Sequence, residues 1–147
     1  MRTLAISLLL TGCLSSGSSN EYADLYEPPT GGATGSIHGT WGGIVDPGFD
    51  TRWVLAPDRL TLANKCGSRI VGVDVAAEVT TTQIRILQSD QAGGEDCFVN
   101  ASVATLTVCP TQGLEIDCFM HNPTQKTLTI HGSSGSVTLT KLSDATP

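Results

Sequence analysis

Residues 69–80 constrain this chain more than any other stretch. Val71, Val73, Val75, Ala77 and Val79 fall on one side of an extended segment, and Asp74, Glu78 and Thr80 on the other. Side chains alternate across a strand with period two, so this is a strand with one apolar face and one wet face. Such a face needs a second apolar layer, or a sheet that closes on itself. From Ile37 onward the chain repeats the alternation in shorter runs broken by turn residues, and no run of ten residues has a helical period.

The runs order themselves as hairpins. Ile37, Gly39, Trp41, Gly43 and Val45 share one face of a first strand, which Asp46-Pro47-Gly48 turns. Trp53 and Leu55 face inward in the next strand, and Leu60 and Leu62 in the one after a turn at Ala56-Pro57-Asp58. Beyond a bend at Thr80-Thr81-Thr82, Ile84 and Ile86 are inward. Residues 89–96, with Gly93-Gly94 and three acids, read as a loop, and a strand follows within 98–109. Leu114, Ile116, Cys118 and Met120 then alternate with Glu115, Asp117, Phe119 and His121. Leu128 and Ile130 are inward before the turn Gly132-Ser133-Ser134-Gly135, and Val137, Leu139 and Lys141 share a face of the last strand. The expected fold is all-β: a small antiparallel up-and-down β-barrel of about eight strands, which leaves no exposed edge. A Greek-key β-sandwich is the alternative. The inward Trp, Leu, Ile and Val residues either line a lumen or fill it.

The N-terminus differs in kind. Residues 3–10 form an apolar run after Met1-Arg2, far short of the roughly 20 residues of a membrane-spanning helix, as in the core of a secretory signal. Leu10-Thr11-Gly12-Cys13 follows. This resembles the lipobox of bacterial lipoproteins, Leu-x-Gly-Cys. The resemblance implies removal of residues 1–12 and lipid on Cys13, so the expected partner is a membrane reached through acyl chains. Leu14 stands where an Asp would suggest retention at the inner membrane, so the expected location is the cell envelope, at the outer membrane. Residues 13–35, rich in Ser, Gly and Pro, read as a flexible linker. The barrel domain is expected over 36–143, with a tail at 144–147. Without the leader, 7 basic stand against 14 acidic residues, a net charge of −7. That surface repels nucleic acid. Nothing in the pattern calls for more than a monomer.

With Cys13 assigned to lipid, Cys66, Cys97, Cys109 and Cys118 remain. Four cysteines in an exported chain predict two disulfides. A tight hairpin at 110–113 would set Cys118 opposite Thr105, so a Cys109–Cys118 bridge fits that hairpin poorly; the other two connectivities stay open. The spacing lacks Cys-x-x-Cys, and no metal or cofactor is expected.

Gly39-Thr40-Trp41 is similar to the Gly-x-Trp that opens the first strand of lipocalins and related barrels. The resemblance implies that Trp41 packs across the closed end of a barrel. It also implies that a basic residue of the last strand, here Lys141, covers the ring in a cation–π contact. The family's usual Arg is replaced by Lys, and its C-terminal helix has no counterpart.

No catalytic constellation stands out. His38, His121 and His131 fall on different strands or their ends, with no His-x-His or His-Glu-x-x-His spacing. His121 and His131 flank one hairpin with the same outward parity. Glu115 and Asp117 share a wet face, and Ser134 lacks the nucleophile-elbow pattern. The expected role is non-enzymatic: binding of a small apolar or amphipathic ligand. The alternatives are a protein-binding lipoprotein, of lysozyme- or protease-inhibitor type, or a purely structural one.

Overall fold

A computed structural model describes residues 21–110, 115–133 and 135–147. The leader, Cys13, Leu114 and Ser134 lie outside the described residues. Nine strands close into a barrel: β1 (Gly39–Val45), β2 (Phe49–Ala56), β3 (Arg59–Cys66), β4 (Arg69–Val79), β5 (Gln83–Ile86), β8 (Ala104–Val108), β9 (Cys118–Asn122), β10 (Thr127–Gly132) and β11 (Gly135–Ser143). Around the barrel the order is β1, β11, β10, β9, β8, β5, β4, β3, β2. The expected barrel is present, and β1 and β11 zip it shut with Trp41 opposite Lys141.

The long alternating strand behaves as its pattern demands. In β4, Val73, Val75, Ala77 and Val79 are buried, while Asp74, Ala76 and Glu78 face out. Leu60, Leu62, Ile84, Ile86, Leu128, Ile130 and Leu139 join them in one core cluster with Trp41 and Leu55, and Trp53, Val71 and Val137 pack against it half-buried. The lumen is therefore filled by side chains.

Two differences from the up-and-down expectation matter. Residues 89–96 are not a plain loop. Asp90–Gly94 forms β6, which pairs with β7 (Cys97–Ala101) in a separate two-stranded sheet. Gly93, at φ +90°, makes the close approach between these strands, because a Cβ there would lie 2.0 Å from the carbonyl oxygen of Cys97. Val99 and Ala101 turn into the core, so this hairpin caps the barrel mouth.

The second difference lies at the seam between β8 and β9. These strands run parallel, with Thr107 opposite Cys118 and Val108 opposite Phe119, whereas every other strand pair is antiparallel. Asp117, at φ +57°, stands immediately before β9 and resets the pleat. Phe119, expected outside, is fully buried; Ile116 and Met120, expected inside, are exposed. The same geometry overturns the objection to a Cys109–Cys118 bridge, which assumed a tight antiparallel hairpin. The disulfides are Cys66–Cys97 and Cys109–Cys118. The first ties the capping hairpin to the end of β3, and the second staples a seam that has only two residue pairs in register.

The stretch 21–35, expected as a flexible linker, is a strap on the barrel wall. A 3-10 turn, Ala23–Tyr26, places the Tyr22 ring on Gly72, where a Cβ would come within 2.6 Å of the ring. Tyr26 donates to the Asp50 carbonyl at 2.7 Å, with the Arg52 guanidinium 4.6 Å and the Lys65 ammonium 5.6 Å from its ring centre. Beneath the strap, outward-facing Val54 and Ala63 are wholly buried. Two tyrosines and Leu25 supply the apolar surface that a linker composition conceals.

A double replacement, Cys109→Ser with Cys118→Ser, is expected to cost about 2–4 kcal/mol. It should raise amide exchange in β8 and β9 before β3 and β4. Unfolding curves and exchange mass spectrometry measure both; uniform exchange would show that the seam is not the weak point.

Candidate functional site

The two ends of the barrel differ. At one end the chain enters β1 by crossing the opening. Ile37 is 2% exposed and sits in the core. His38 Nε2 lies 2.8 Å from the Val79 carbonyl oxygen across the barrel. The Trp41 ring lies beneath, fully buried, its Nε1–H donating to the Ile37 carbonyl at 2.9 Å. The Lys141 ammonium stands 4.9 Å from the Trp41 ring centre. It donates to the carbonyls of Ser36 and His38, the latter at 2.6 Å, and pairs with Asp144 Oδ1 at 3.2 Å. Each of its three N–H bonds thus has a partner, as burial of an ammonium requires. Asp144 in turn accepts from the Thr34 N–H at 3.0 Å.

Gly39 is what allows this approach. Its φ is +135°, and a Cβ would lie 2.3 Å from the Ser143 carbonyl oxygen and 2.5 Å from Lys141 Cε. The glycine of Gly-x-Trp therefore has a physical reason here, in the lysine stem that crosses it.

His121, which sequence parity placed outside, meets this closure. Its ring stands edge-on to Trp41 at 5.7 Å, and its Nε2 is buried without a hydrogen-bond partner. Burial, then the neighbouring Lys141 charge, holds its pKa below the ordinary 6.5. His131 bonds Ser136 Oγ at 2.6 Å. The two histidines do not meet, being three register positions apart on the β9–β10 ladder, about 10 Å. Burial likewise lowers the pKa of Lys141, opposed by Asp144. The Thr34 N–H, followed by the Lys141 ammonium, holds Asp144 below the ordinary carboxylate value.

The other end is the mouth. The β6–β7 hairpin covers it on the β3–β4 side, where Asn64 Nδ2 donates to the Phe98 carbonyl at 2.7 Å. The Phe98 and Phe49 rings meet edge to face at 5.5 Å. Between this cap and the β10–β11 turn a cleft of about 510 Å³ remains open, lined by Val45, Asp46, Phe98, Ile130, Gly132, Gly135, Ser136 and Val137. Phe98 is nearly half exposed. Of the residues expected to line a lumen, Ile130 and Val137 reach this cleft, and the others form the packed interior. Leu114 lies outside the described residues, and Ile116 faces solvent. Phe98 escaped the sequence reading because residues 89–96 gave no strand pattern for it to pair with.

Among the described residues no three His, Cys, Asp or Glu side chains gather as metal ligands, and no helix is long and apolar enough to cross a membrane. No family model, curated protein or solved structure matches the chain.

Removing the plug is the direct test of closure. Trp41→Ala is expected to cost about 3–5 kcal/mol, and Gly39→Ala about 1–3 kcal/mol through strain and overpacking. Urea unfolding midpoints measure both; a loss below about 1 kcal/mol for Trp41→Ala would mean that the ring does not hold the end closed.

Acid is expected to loosen the same end. Folded His121 binds its proton less tightly than unfolded His121, so its contribution is full above pH 6.5 and declines below it. Asp144 is shifted in the same direction: its contribution is present above 3.8 and is lost as pH falls through the lower folded value. Stability should therefore fall in two stages on acidification. His121→Phe, which keeps an aromatic edge on Trp41, should remove the first stage and leave the second. A pH series of unfolding curves checks this, and an unchanged first stage in the variant would assign it elsewhere.

Proposed function

We propose that this chain is a non-enzymatic, lipid-anchored envelope lipoprotein whose lipocalin-like barrel binds a small apolar or amphipathic ligand. The observation that carries the reading is the mouth cleft: about 510 Å³, with Val45, Phe98, Ile130 and Val137 as apolar walls and Asp46 and Ser136 at the polar rim. That volume lies within the usual range of small-molecule sites, roughly 300–1,000 Å³, and an apolar wall with a few polar groups is their usual make-up. With the interior filled by side chains, this reading has the ligand at the mouth instead of deep in the lumen. The lipocalin likeness is supported by the Gly39–Trp41–Lys141 closure and by the closed barrel. The lipoprotein assignment rests on Leu10-Thr11-Gly12-Cys13, and the two disulfides agree with an oxidising compartment.

A second reading, a protein-binding lipoprotein, is favoured by one feature. The cleft is open along one side and carries the half-exposed Phe98 ring in its lining, so a partner's apolar side chain fits it as well as a free ligand does. The net charge of −7 on the processed chain suits a basic partner.

Native mass spectrometry of the intact chain separates these readings. A small co-purified species that disappears in Phe98→Ala with Ile130→Ala supports the first. A protein complex that the same pair dissociates supports the second. Unchanged binding in the variant removes the cleft from either role.

A further inference from the structure

We propose that the mouth cleft selects a small ligand with a cationic head: an organic ammonium whose apolar body lies on Phe98, Ile130 and Val137 and whose charge meets Asp46. This rests on the reading of the cleft as a small-molecule site. It adds the sign of the ligand's charge and the residue that recognises it.

The lining has one sign. Its side chains are apolar apart from the Ser136 hydroxyl, which bonds His131 Nδ1, and Asp46, the one charged residue in the wall. Asp46 is exposed at the β1–β2 turn. Among the described residues the ion pairs are Asp50 with Arg52, Glu78 with Arg85 and Asp144 with Lys141, so no base neutralises Asp46. Phe98 stands in the same wall with 47% of its surface exposed. A free carboxylate and an aromatic ring together recognise an ammonium: the carboxylate accepts its N–H bonds, and the ring face attracts its charge. An anionic head would meet Asp46 as a like charge, and a neutral head would gain only the apolar wall and a hydroxyl.

The surroundings repeat that sign. At the mouth end, Glu95 and Asp96 form the β6–β7 turn, and Glu115 and Asp117 precede β9; all four are exposed and outside the ion pairs. The bases at this end, Lys65 and Arg69, flank the β3–β4 turn, the side that Cys66–Cys97 covers with the cap. The Lys65 ammonium is turned to the outer wall, 5.6 Å from the Tyr26 ring centre. Arg59, Lys126 and Lys141 lie at the closed end, where Arg59 reaches the C-terminal tail and Lys126 and Lys141 are joined through their backbones. Charge is thus sorted along the barrel axis, and the open rim carries the negative end. Such a field gathers cations at the cleft before any contact is made.

Two glycines give the ligand's body its room. Gly132 continues the parity of Leu128 and Ile130 along β10, which points its Cβ position to the inner side. A Cβ there would meet only the Gly135 carbonyl oxygen, at 3.8 Å, and one at Gly135 would meet nothing within 4 Å. The space beside Ile130 and Val137 therefore exists because residues 132 and 135 lack side chains. A larger residue at 132 fills the cleft without a backbone clash, since Gly132 does not have a positive φ.

The test titrates octylammonium, octanol and octanoate, each below its micelle concentration, into the full chain carrying Cys13→Ser, which keeps acyl groups and lipid out of the assay. Calorimetry reads affinity, and the amide shifts of Val45 and Val137 place the binding. Octylammonium is expected to bind about three- to tenfold tighter than octanol, from an exposed ion pair and a cation–π contact together, and octanoate weakest. Asp46→Asn should erase the preference and leave octanol unchanged. Asp58→Asn, the same change of charge in the exposed β2–β3 turn at the closed end, should keep it. Gly132→Leu should abolish binding of all three probes with little change in its unfolding curve; the Asp46→Asn comparison stands even if that variant fails to fold. Equal affinity for octanol and octylammonium, or loss of the preference in Asp58→Asn as in Asp46→Asn, overturns the selectivity and leaves the cleft a plain apolar site. No probe shifting the Val45 and Val137 amides overturns the small-molecule reading of the cleft itself, and the selectivity with it.

Discussion

The buried ammonium of Lys141 is the contact on which the closure depends. It belongs to the last strand, lies over the aromatic ring of the first, and donates to two carbonyls of the segment that crosses the barrel end. A charge removed from water is costly unless every donor is used, so this site tolerates little movement. Ser36, His38 and Asp144 must all stay in place for the charge to be satisfied. Asp144 holds Thr34, and with it the strap, while Gly39 leaves the lysine stem room to cross. Barrel closure, strap docking and the position of the C-terminal tail are therefore one coupled arrangement. His121 adds a titrating neighbour to it.

How much of this was legible follows from what each pattern encodes. Period-two alternation depends only on a strand having one wet face. It therefore located β1 through β5, β10 and β11, and with them most of the core. The Gly-x-Trp resemblance placed Trp41 and Lys141 together, and they are paired across the closing strands. The pattern failed where a single backbone angle interrupts it. Asp117 adopts a positive φ, and one residue out of pleat exchanges every inward and outward position after it. Phe119 and His121 were thereby assigned to the wrong face, and the Cys109–Cys118 pairing was rejected on an antiparallel geometry that does not exist. In a chain with so few aromatics, an outward Phe119 was itself a sign that the register had slipped.

The strap and the cap were hidden for a different reason. Their residues are those that composition assigns to linkers and loops: Ser, Gly, Pro and acids. What orders them is tertiary. Two tyrosines stack on glycine and cations that lie far away in sequence, and a disulfide fastens a hairpin that shows little apolar alternation of its own. Mean composition measures how much a segment can bury on average. It is blind to two large side chains that land on prepared sites.

These hidden pieces bear most on function. A barrel of nine strands has room for a small interior, and here Val, Leu, Ile, Trp41 and Phe119 fill it. Open space is thereby displaced to the rim, where the cap leaves one side uncovered. The cap also divides that rim. The side tied down by Cys66–Cys97 and Asn64 is closed, and the side at the β10–β11 turn is open. The strap begins on the wall beneath the closed side. Strap, cap and cleft then form a polarity across the barrel, from the strapped wall of β3 and β4 to the open rim at β10 and β11. A closed barrel alone implies no such direction, and this one acquires it from segments that contribute few residues to its core.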